Sequence, residues 1–288
     1  MRLGEQIEGD WQAALAALAW QIDCGVDEVV GDAPLDRYDL PEPVPKAPAP
    51  VAAAEPRGAR PAPVSAAPAA PPAPAAPDAV ALARASAARA ATLEELRAAI
   101  TGFDLCELKR GARSTVFADG NPAARVLVLG EAPGRDEDLE GRPFVGRAGQ
   151  LLDRMFAAIG LSRQSPDAET ALYITNVMPW RPPGNRDPSE EEIAMMRPFV
   201  ERHIALVAPD LIVVMGNTPL YALTGRRGIM RARGQWDQAL GRPLMPMTHP
   251  AYLLRNPAAK REAWADLLAV QARMRGTANG AQVPLSKE

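Results

Sequence analysis

The sequence predicts an α/β fold with three layers, α/β/α, built on a central, mostly parallel sheet of four strands. The first observation is a set of four short apolar runs, each followed by a loop: Val126–Leu129, Ala171–Thr175, Asp210–Met215 and Leu244–Met247. Apolar runs of this length, bounded by turn residues, are typical of strands that are buried on both faces of a parallel sheet.

The second observation is the helical periodicity that separates these runs. Apolar residues recur at helical spacing in four further stretches: Leu151–Ile159, Ser189–Val207, Pro219–Leu223 and Ala258–Arg275. Strands that alternate with helices form a parallel sheet with helices on both faces. The loops that follow the strands then lie at one edge of the sheet, where such folds bind their ligands.

The sequence before this domain predicts one helix followed by a disordered linker. Gly9–Val30 has apolar residues at helical spacing, and this helix either packs on the main domain or binds a partner. Leu40–Pro77 holds 13 of the 30 prolines and predicts a disordered linker. The helical pattern returns at Ala79–Ile100, where Thr92 begins a capping box. We therefore divide the chain into an N-terminal helix region, a Pro/Ala-rich linker, a main domain and a flexible tail: residues 1–38, 39–90, 91–276 and 277–288.

The composition narrows the class of protein. The net charge is −3, but residues 101–276 are mildly basic and rich in arginine, which permits a nucleic-acid surface. Two cysteines and two histidines form neither a disulfide framework nor a zinc cluster of the usual spacing. The sequence shows no signal-peptide pattern and no apolar run of the roughly 18 residues that a membrane span needs. We expect a cytoplasmic monomer that does not bind membranes.

The loop after the first strand is acidic and rich in glycine. Gly130–Gly134 makes a tight turn, and four acids follow it at Asp136, Glu137, Asp138 and Glu140. The loop lacks the Lys and the Ser or Thr of a nucleotide-binding P-loop, and its carboxylates would repel phosphate. Taken alone, the stretch is equally compatible with a solvated acidic loop.

The loop after the second strand begins with an amide. Asn176 offers a hydrogen-bond donor and an acceptor together, which is the pair needed to read a pyrimidine edge. The alternative for Asn176 alone is a structural role, in which a strand-ending Asn caps a turn. Arg181 and Arg186 lie among prolines and predict a stiff, basic rim that contacts DNA.

The loop after the fourth strand holds His249. A lone histidine is more often structural than catalytic, but this one follows a strand at the predicted ligand edge. Leu253 and Leu254 give the loop an apolar tip, and Arg255 follows them. An apolar tip beside a basic residue is typical of a wedge that enters a base stack.

Three motifs carry a resemblance to a known family. In chain order they are G-E-A-P-G-x-x-E-D-x-x-G-x-P-F-V-G-x-A-G-x-L-L-D, T-N-V-x-x-x-R-P-P-G-N-R-x-P and H-P-A-Y-L-L-R. Together they resemble the family 4 uracil-DNA glycosylases from about Thr101 to Arg275. The resemblance does not extend to residues 1–90. The helix Gly9–Val30 on its flexible linker suits recruitment to a repair or replication partner, or it packs back on the main domain.

The resemblance implies an enzyme that flips deoxyuridine out of single- or double-stranded DNA and hydrolyses its N-glycosidic bond, leaving an abasic site. Carried over by motif, Phe144 stacks on the uracil ring and Asn176 reads its Watson–Crick edge. The backbone N–H of Ala132 contacts a uracil oxygen. The apolar tip and Arg255 fill or border the vacated base stack.

The resemblance also implies the catalytic groups. Glu131 and Glu137 are the candidates for positioning the attacking water, with Asn185 nearby, and His249 stabilises the departing uracil anion. A carboxylate suits the cationic sugar of glycoside cleavage, and a histidine with backbone N–H groups suits the anion. No lysine lies in the motifs, so we expect a monofunctional enzyme without a Schiff-base step.

The chain departs from the family at one point. Family 4 members usually hold a [4Fe–4S] cluster through four cysteines. Here the aligned positions are Phe103, Cys106, Trp180 and Met196, and a single thiolate cannot hold a cluster. We expect no cofactor and an ordinary apolar core at this place. The departure keeps two other interpretations open: a catalytically inactive glycosylase fold that binds DNA or a protein, and a glycosylase for another deaminated base.

Overall fold

The computed structural model of the chain describes residues 78–278. The predicted helix Gly9–Val30, the linker up to residue 77 and the tail beyond residue 278 lie outside these residues. The strands are β1 (Ala118–Gly120), β2 (Val126–Gly130), β3 (Leu172–Asn176), β4 (Leu211–Met215), β5 (Asp237–Ala239) and β6 (Arg242–Met247). They form one sheet in the order β1-β3-β2-β4-β6-β5.

The helices are α1 (Ala79–Arg89), α2 (Leu93–Thr101), α3 (Leu108–Gly111), α4 (Arg135–Glu140), α5 (Arg147–Ala157), α6 (Glu190–Val207), α7 (Asn217–Thr224), α8 (Ile229–Ala232), α9 (Pro250–Arg255) and α10 (Lys260–Ala278). Two short 3₁₀ turns span Pro183–Asn185 and Pro257–Ala259. Within residues 78–278, no helix is both long and apolar enough to cross a membrane.

The sheet is mixed and mostly parallel. The four predicted strands are present as β2, β3, β4 and β6, and they pair in parallel. The predicted count of four is wrong, because β1 and β5 add an antiparallel strand at each edge. Each edge strand has only three residues, Ala-Asp-Gly and Asp-Gln-Ala, and neither contains the apolar run by which a strand is recognised in a sequence.

Helices cover both faces of the sheet. Side chains of successive strand residues point to opposite faces, so Leu127 and Leu129 of β2 join the apolar cluster formed with α1, α2, α6 and α7. Val126 and Val128 join the other cluster, which is completed by α5 and α10. This double coverage explains why the central strands are continuously apolar and fully buried.

Helix α1 lies inside residues 39–90, the range that we assigned to a linker. Asp78 caps it by accepting hydrogen bonds from the N–H groups of Val80 and Ala81. Ala83 and Ala87 are buried, and the helix packs on α6. The packed part of the chain therefore begins before the predicted boundary at residue 91.

Two predicted loops are helical in the structure. The acidic stretch after β2 forms α4, with Gly134 as N-cap. Three of its acids lie in the first turn, where the helix dipole favours negative charge. The stretch after β6 forms α9, with His249 as N-cap and Pro250 at the first helical position, which suits proline. Both helices begin at the carboxyl edge of the sheet and direct their first residues toward the same place.

Candidate active site

A cavity of about 470 Å³ opens at the carboxyl edge of the parallel strands. Nine of the twelve predicted site residues line it: Glu131, Ala132, Glu137, Phe144, Asn176, Asn185, Arg186, His249 and Arg255. These residues come from four segments that are separate in the sequence, and the fold brings their side chains to one cavity. The other three, Arg181, Leu253 and Leu254, are not part of the cavity wall.

Asn176 is a buried residue of the cavity wall. It is the last residue of β3 and pairs in register with Gly130 of β2. Its side chain is buried, and neither the oxygen nor the nitrogen of its amide has a hydrogen-bond partner among residues 78–278. A buried amide without partners destabilises a fold, so this one is a candidate for binding a ligand.

Gly130 makes room for this amide. A Cβ atom at Gly130 would lie 2.3 Å from Asn176 Oδ1 and 2.5 Å from the Phe144 ring atom Cε2. Both distances are far below van der Waals contact, so only glycine fits. The first glycine of the acidic motif is therefore required by the close approach of two cavity side chains, and not by the backbone turn that the sequence predicts there.

Phe144 forms one wall of the cavity in an unusual backbone conformation. Its φ is 54°, in the left-handed region that phenylalanine rarely adopts. The buried guanidinium of Arg163 donates hydrogen bonds of 2.9 Å to the carbonyls of both Pro143 and Phe144. A Cβ atom at Gly149 would lie 1.8 Å from the Phe144 carbonyl oxygen, so the start of α5 packs directly on this peptide.

Arg163 is itself held from two sides. It forms ion pairs with Asp119 of β1 at 3.1 Å and with Asp153 of α5 at 2.8 Å. Arg163 is not recognisable as a site residue from the sequence, because it lies outside the three motifs and contacts the site only through the peptide that carries Phe144. It is a positioning residue for the aromatic wall.

Glu137 holds the acidic motif together. One carboxylate oxygen accepts hydrogen bonds from the N–H groups of Val145 and Gly146, and the other accepts from Gly134, each at 3.0 Å. Both oxygens are thus engaged by the backbone on either side of Phe144. This arrangement suits a group that fixes the loop better than one that orients a water molecule.

Glu131 is the carboxylate that can still accept hydrogen bonds from a molecule in the cavity. One of its oxygens accepts a hydrogen bond of 2.6 Å from the hydroxyl of Thr218, at the start of α7. Burial raises the pKa of the Glu131 carboxyl, and the negative charge of Asp187 adds to this, while the Thr218 hydrogen bond acts in the opposite direction. Thr218 is a second positioning residue that lies outside the three motifs.

His249 stands beside Phe144, with ring centroids 5.4 Å apart and ring planes inclined by 28°. Its Nδ1 accepts a hydrogen bond of 3.2 Å from the N–H of Ala251. Because an accepting nitrogen carries no proton, this contact assigns the proton of the neutral ring to Nε2. Burial lowers the pKa of His249 to about 4, and the charge of Arg255 lowers it further while Glu137 opposes this. The ring is therefore a neutral hydrogen-bond donor at physiological pH.

The predicted basic rim is largely paired within the protein. Arg181 donates to Asn185 Oδ1 at 2.8 Å. Arg186 donates to both carboxylate oxygens of Glu192, at 2.9 and 2.6 Å. These contacts fix the loop between β3 and α6, where Asn185 has a φ of 54°.

The position of Leu253 contradicts its predicted role in DNA. Its side chain is 1% exposed and packs with Leu151 and Ala263 in a small apolar cluster. Because this stretch is a helix and not an extended loop, one leucine of the apolar tip must face inward. Leu254 is half-buried, and Arg255 is exposed at the cavity mouth.

The four positions aligned with cluster cysteines lie in one apolar cluster. Phe103, Cys106, Trp180 and Met196 are all buried there. The Phe103 ring meets Phe199 edge-on at 5.3 Å. Burial raises the pKa of the Cys106 thiol, which disfavours the thiolate that binds metals. No group of three or more His, Cys, Asp or Glu residues within 78–278 is placed to hold a metal ion, so these residues do not fit a [4Fe–4S] cluster.

Comparison with known proteins agrees with the motifs. A family model described as the Uracil DNA glycosylase superfamily matches residues 117–268. The chain is 36% identical over 180 residues to a type-4 uracil-DNA glycosylase of Sulfurisphaera tokodaii, a match that covers 59% of this chain and 79% of the relative.

Two further relatives carry the same description. The type-4 uracil-DNA glycosylase of Thermotoga maritima is 40% identical over 154 residues, covering 52% of this chain and 77% of the relative. That of Archaeoglobus fulgidus is 34% identical over 186 residues, covering 61% and 89%. The range matched by the family model includes every strand that contributes to the cavity, and the resemblance found in the motifs is confirmed: the chain belongs to the uracil-DNA glycosylase superfamily.

Proposed function

We propose that this protein removes uracil from DNA by hydrolysing the N-glycosidic bond, and that it leaves an abasic site. The observation that carries the proposal is the amide of Asn176, which is buried in the cavity wall without a hydrogen-bond partner among the described residues. Without a partner, this amide destabilises the free protein. A ligand whose edge forms hydrogen bonds with the amide removes that destabilisation. The similarity to type-4 uracil-DNA glycosylases supports the same activity.

Uracil has the complementary edge. Its N3–H donates to the Asn176 carbonyl oxygen, and its O4 accepts from the Asn176 amide nitrogen. The Phe144 ring lies beside the amide and offers a face on which a flipped base stacks. Ala132 also lines the cavity, and in this proposal its backbone N–H donates to the remaining oxygen.

The cavity also suits the charges of the reaction. When the bond between C1′ and N1 breaks, the electron pair stays on N1, so uracil leaves as an anion and the sugar becomes cationic. The neutral His249 donates from Nε2 toward the departing anion, and the Ala132 N–H adds a second donor. Glu131 orients water, whose oxygen bonds to C1′, and its carboxylate takes the proton that the water releases.

The remaining predicted residues have supporting roles in this proposal. Glu137 positions the loop that carries Phe144. Asn185 lines the cavity, and in this proposal it is near the attacking water. Arg255 and Leu254 border the gap that the flipped nucleotide leaves. Of the described residues that line the cavity, none is a lysine, which fits a monofunctional hydrolase.

We further propose that the reaction needs no iron. An apolar core takes the place of the cluster, and Trp180 is anchored there by a hydrogen bond of 3.1 Å from its Nε1 to Thr115. Purified protein is expected to contain no stoichiometric iron and to lack iron–sulfur absorbance, while remaining folded. Elemental analysis and a visible spectrum of protein purified without oxygen check this; stoichiometric iron would contradict it.

The deciding experiment is an excision assay. The full chain is incubated with single- and double-stranded oligonucleotides that hold one uracil, and alkali then cuts any abasic site. Glu131→Gln and His249→Phe are each expected to lower the single-turnover rate by about 10²–10³-fold. Glu140→Gln removes an exposed carboxylate of α4 outside the cavity wall, and this matched control is expected to retain the wild-type rate.

A second candidate function is DNA binding without catalysis, which the filled cluster positions favour. Under this interpretation the folded protein binds uracil-containing DNA but produces no abasic sites on either substrate. That result would overturn the proposed hydrolysis. Cleavage that the two cavity variants reduce and Glu140→Gln does not would exclude the binding module.

A further inference from the structure

A second groove, of about 300 Å³, carries three arginines that the three motifs do not include. Arg226, Arg227 and Arg231 line it, together with Gln235 and Trp236. We call residues 226–231 the arginine loop. It follows α7 and includes the start of α8, and no part of the proposed chemistry uses it.

The arginine loop is attached to the wall of the active-site cavity. Asn217 Oδ1 accepts hydrogen bonds from the N–H groups of Gly228, at 3.0 Å, and Ile229, at 2.8 Å. Asn217 directly follows Gly216, which lines the cavity. On the other side, the Gly234 N–H donates to the carbonyl of Pro246 in β6 at 3.1 Å, three residues before His249. The loop thus borders the cavity beside the strand ends of β4 and β6.

The segment that supports the loop is fixed on α10. Arg233 donates to the buried carboxylate of Asp266 at 3.0 Å, and Glu262 pairs with the same guanidinium at 3.3 Å. The guanidinium of Arg273 lies 4.4 Å from the centre of the Trp236 ring. These contacts are all made by the segment that follows the loop, while Arg226, Arg227 and Arg231 themselves are exposed.

The carboxylates near the loop neutralise only part of its charge. Arg226 pairs with Asp237, and Arg227 pairs with Glu190 at 2.9 Å while its guanidinium stacks 4.3 Å from the centre of the Tyr221 ring. Arg231 is exposed and forms no ion pair with any residue between 78 and 278. Exposed ion pairs contribute little to stability, so a phosphate can replace a carboxylate on Arg226 or Arg227. The planar guanidinium matches a phosphate in geometry as well as in charge.

We infer that the arginine loop binds backbone phosphates of the DNA strand that flanks the flipped nucleotide. Arg255 is an exposed residue of the cavity wall, and the arginine loop adds three arginines in a second groove, which Asn217 links to that wall. Contacts of this kind position the duplex without reading its sequence. The inference rests on the proposed function, because it takes DNA as the ligand of the neighbouring cavity.

The test measures how affinity depends on salt. Fluorescence anisotropy follows the binding of the full chain to a duplex with one 2′-fluoro-deoxyuridine, an analogue in which fluorine slows cleavage of the glycosidic bond. Each phosphate contact contributes about 0.9 to the slope of log K against log salt. The variant Arg226→Gln/Arg227→Gln/Arg231→Gln is expected to lower that slope by about 2–3 and to weaken binding by about 10–100-fold near physiological salt.

The matched control removes the same charge elsewhere. Arg84→Gln/Arg89→Gln/Arg97→Gln changes three exposed arginines of α1 and α2, which line neither groove, and is expected to keep the wild-type slope. Arg231→Gln alone breaks no ion pair of the described structure and is expected to lower the slope by about 1, so a folding defect of the triple variant cannot decide the result.

The outcomes separate this inference from the proposed function. A slope that the loop variants leave unchanged, or that the control lowers equally, overturns the arginine loop as a DNA contact even if uracil is excised. If the loop variants lower the slope but the wild-type protein excises no uracil, the result supports the phosphate contact and overturns the proposed hydrolysis. With saturating DNA, the loop variants are expected to excise uracil at the wild-type single-turnover rate, since the loop touches no reacting atom.

Discussion

Asn176→Leu is expected to stabilise the fold and at the same time to abolish uracil excision. Leucine has nearly the shape of asparagine, but it leaves no buried donor or acceptor unpaired. Because both amide atoms of Asn176 lack a partner among the described residues, unfolding should require about 1–2 kcal/mol more in the variant. The rate should fall by about 10³-fold or more, since the edge of uracil would then meet apolar atoms.

Denaturant unfolding and single-turnover excision measure the two effects. The matched control is Asn121→Leu, because the Asn121 amide is satisfied: it donates to the Pro166 carbonyl and accepts from the Ala123 N–H, each at 3.0 Å. This variant is expected to lose stability and to keep its activity. An Asn176→Leu protein that is less stable than wild type, or that still excises uracil, would show that the amide serves the fold instead of the substrate.

The stability of the protein is expected to fall steeply as the pH drops below about 6.5, the ordinary pKa of histidine. The chain has two histidines, and burial lowers the pKa of His203 to about 3 and that of His249 to about 4. Below pH 6.5 the unfolded chain binds a proton at each residue while the folded chain does not. Each histidine therefore contributes stability that is complete above its unfolded pKa and is lost toward its folded pKa, at about 1.4 kcal/mol per pH unit.

His203 is the deeper of the two and gives the cleaner measurement. Its ring stacks on Phe117 at 4.5 Å, and its Nε2 lies 2.8 Å from the Tyr173 hydroxyl. His203→Gln retains a hydrogen-bonding group for Tyr173 but does not titrate, so it should halve the pH slope of the unfolding free energy between pH 6 and 5, a window set by these pKa values.

The double variant His203→Gln/His249→Gln should lose most of the pH slope of the unfolding free energy that remains in His203→Gln. Burial raises the pKa values of Glu131 and Asp266, so these carboxyls act in the opposite direction at the lower end of the range. Denaturant titrations at several pH values measure the slopes. A double variant that keeps the wild-type slope would mean that carboxylates, and not the two histidines, set the acid sensitivity.

The sheet was predictable where burial dictated the sequence. The four central strands are buried on both faces and must be apolar, so their runs mark them directly. The edge strands β1 and β5 are held by pairing with a neighbour and not by their own composition. Nothing in Ala-Asp-Gly or Asp-Gln-Ala distinguishes a strand from a turn, so their assignment depends on the tertiary structure.

The grouping of the candidate residues was predictable where they lie in a motif that follows a strand. Asn176, Phe144 and His249 were proposed from motif and position, and they line one cavity. Arg163 and Thr218 act through another residue, and only the folded chain brings them to their targets. Leu253 points inward because of its position on helix α9. This orientation was missed because the stretch was predicted to be a loop.

The anchoring of Phe144 has a consequence for turnover. Arg163 fixes the peptide that carries this ring through contacts made entirely within the protein. The part of the cavity beside Phe144 that receives the base, which we call the slot, is therefore formed in the absence of DNA. A preformed slot does not distinguish a base that is still joined to a sugar from one that has been cut free. On the proposed function, the liberated uracil fits the slot from which it must depart. The enzyme is thus open to inhibition by its own product, and the rate of escape of that product limits how soon the next lesion is admitted.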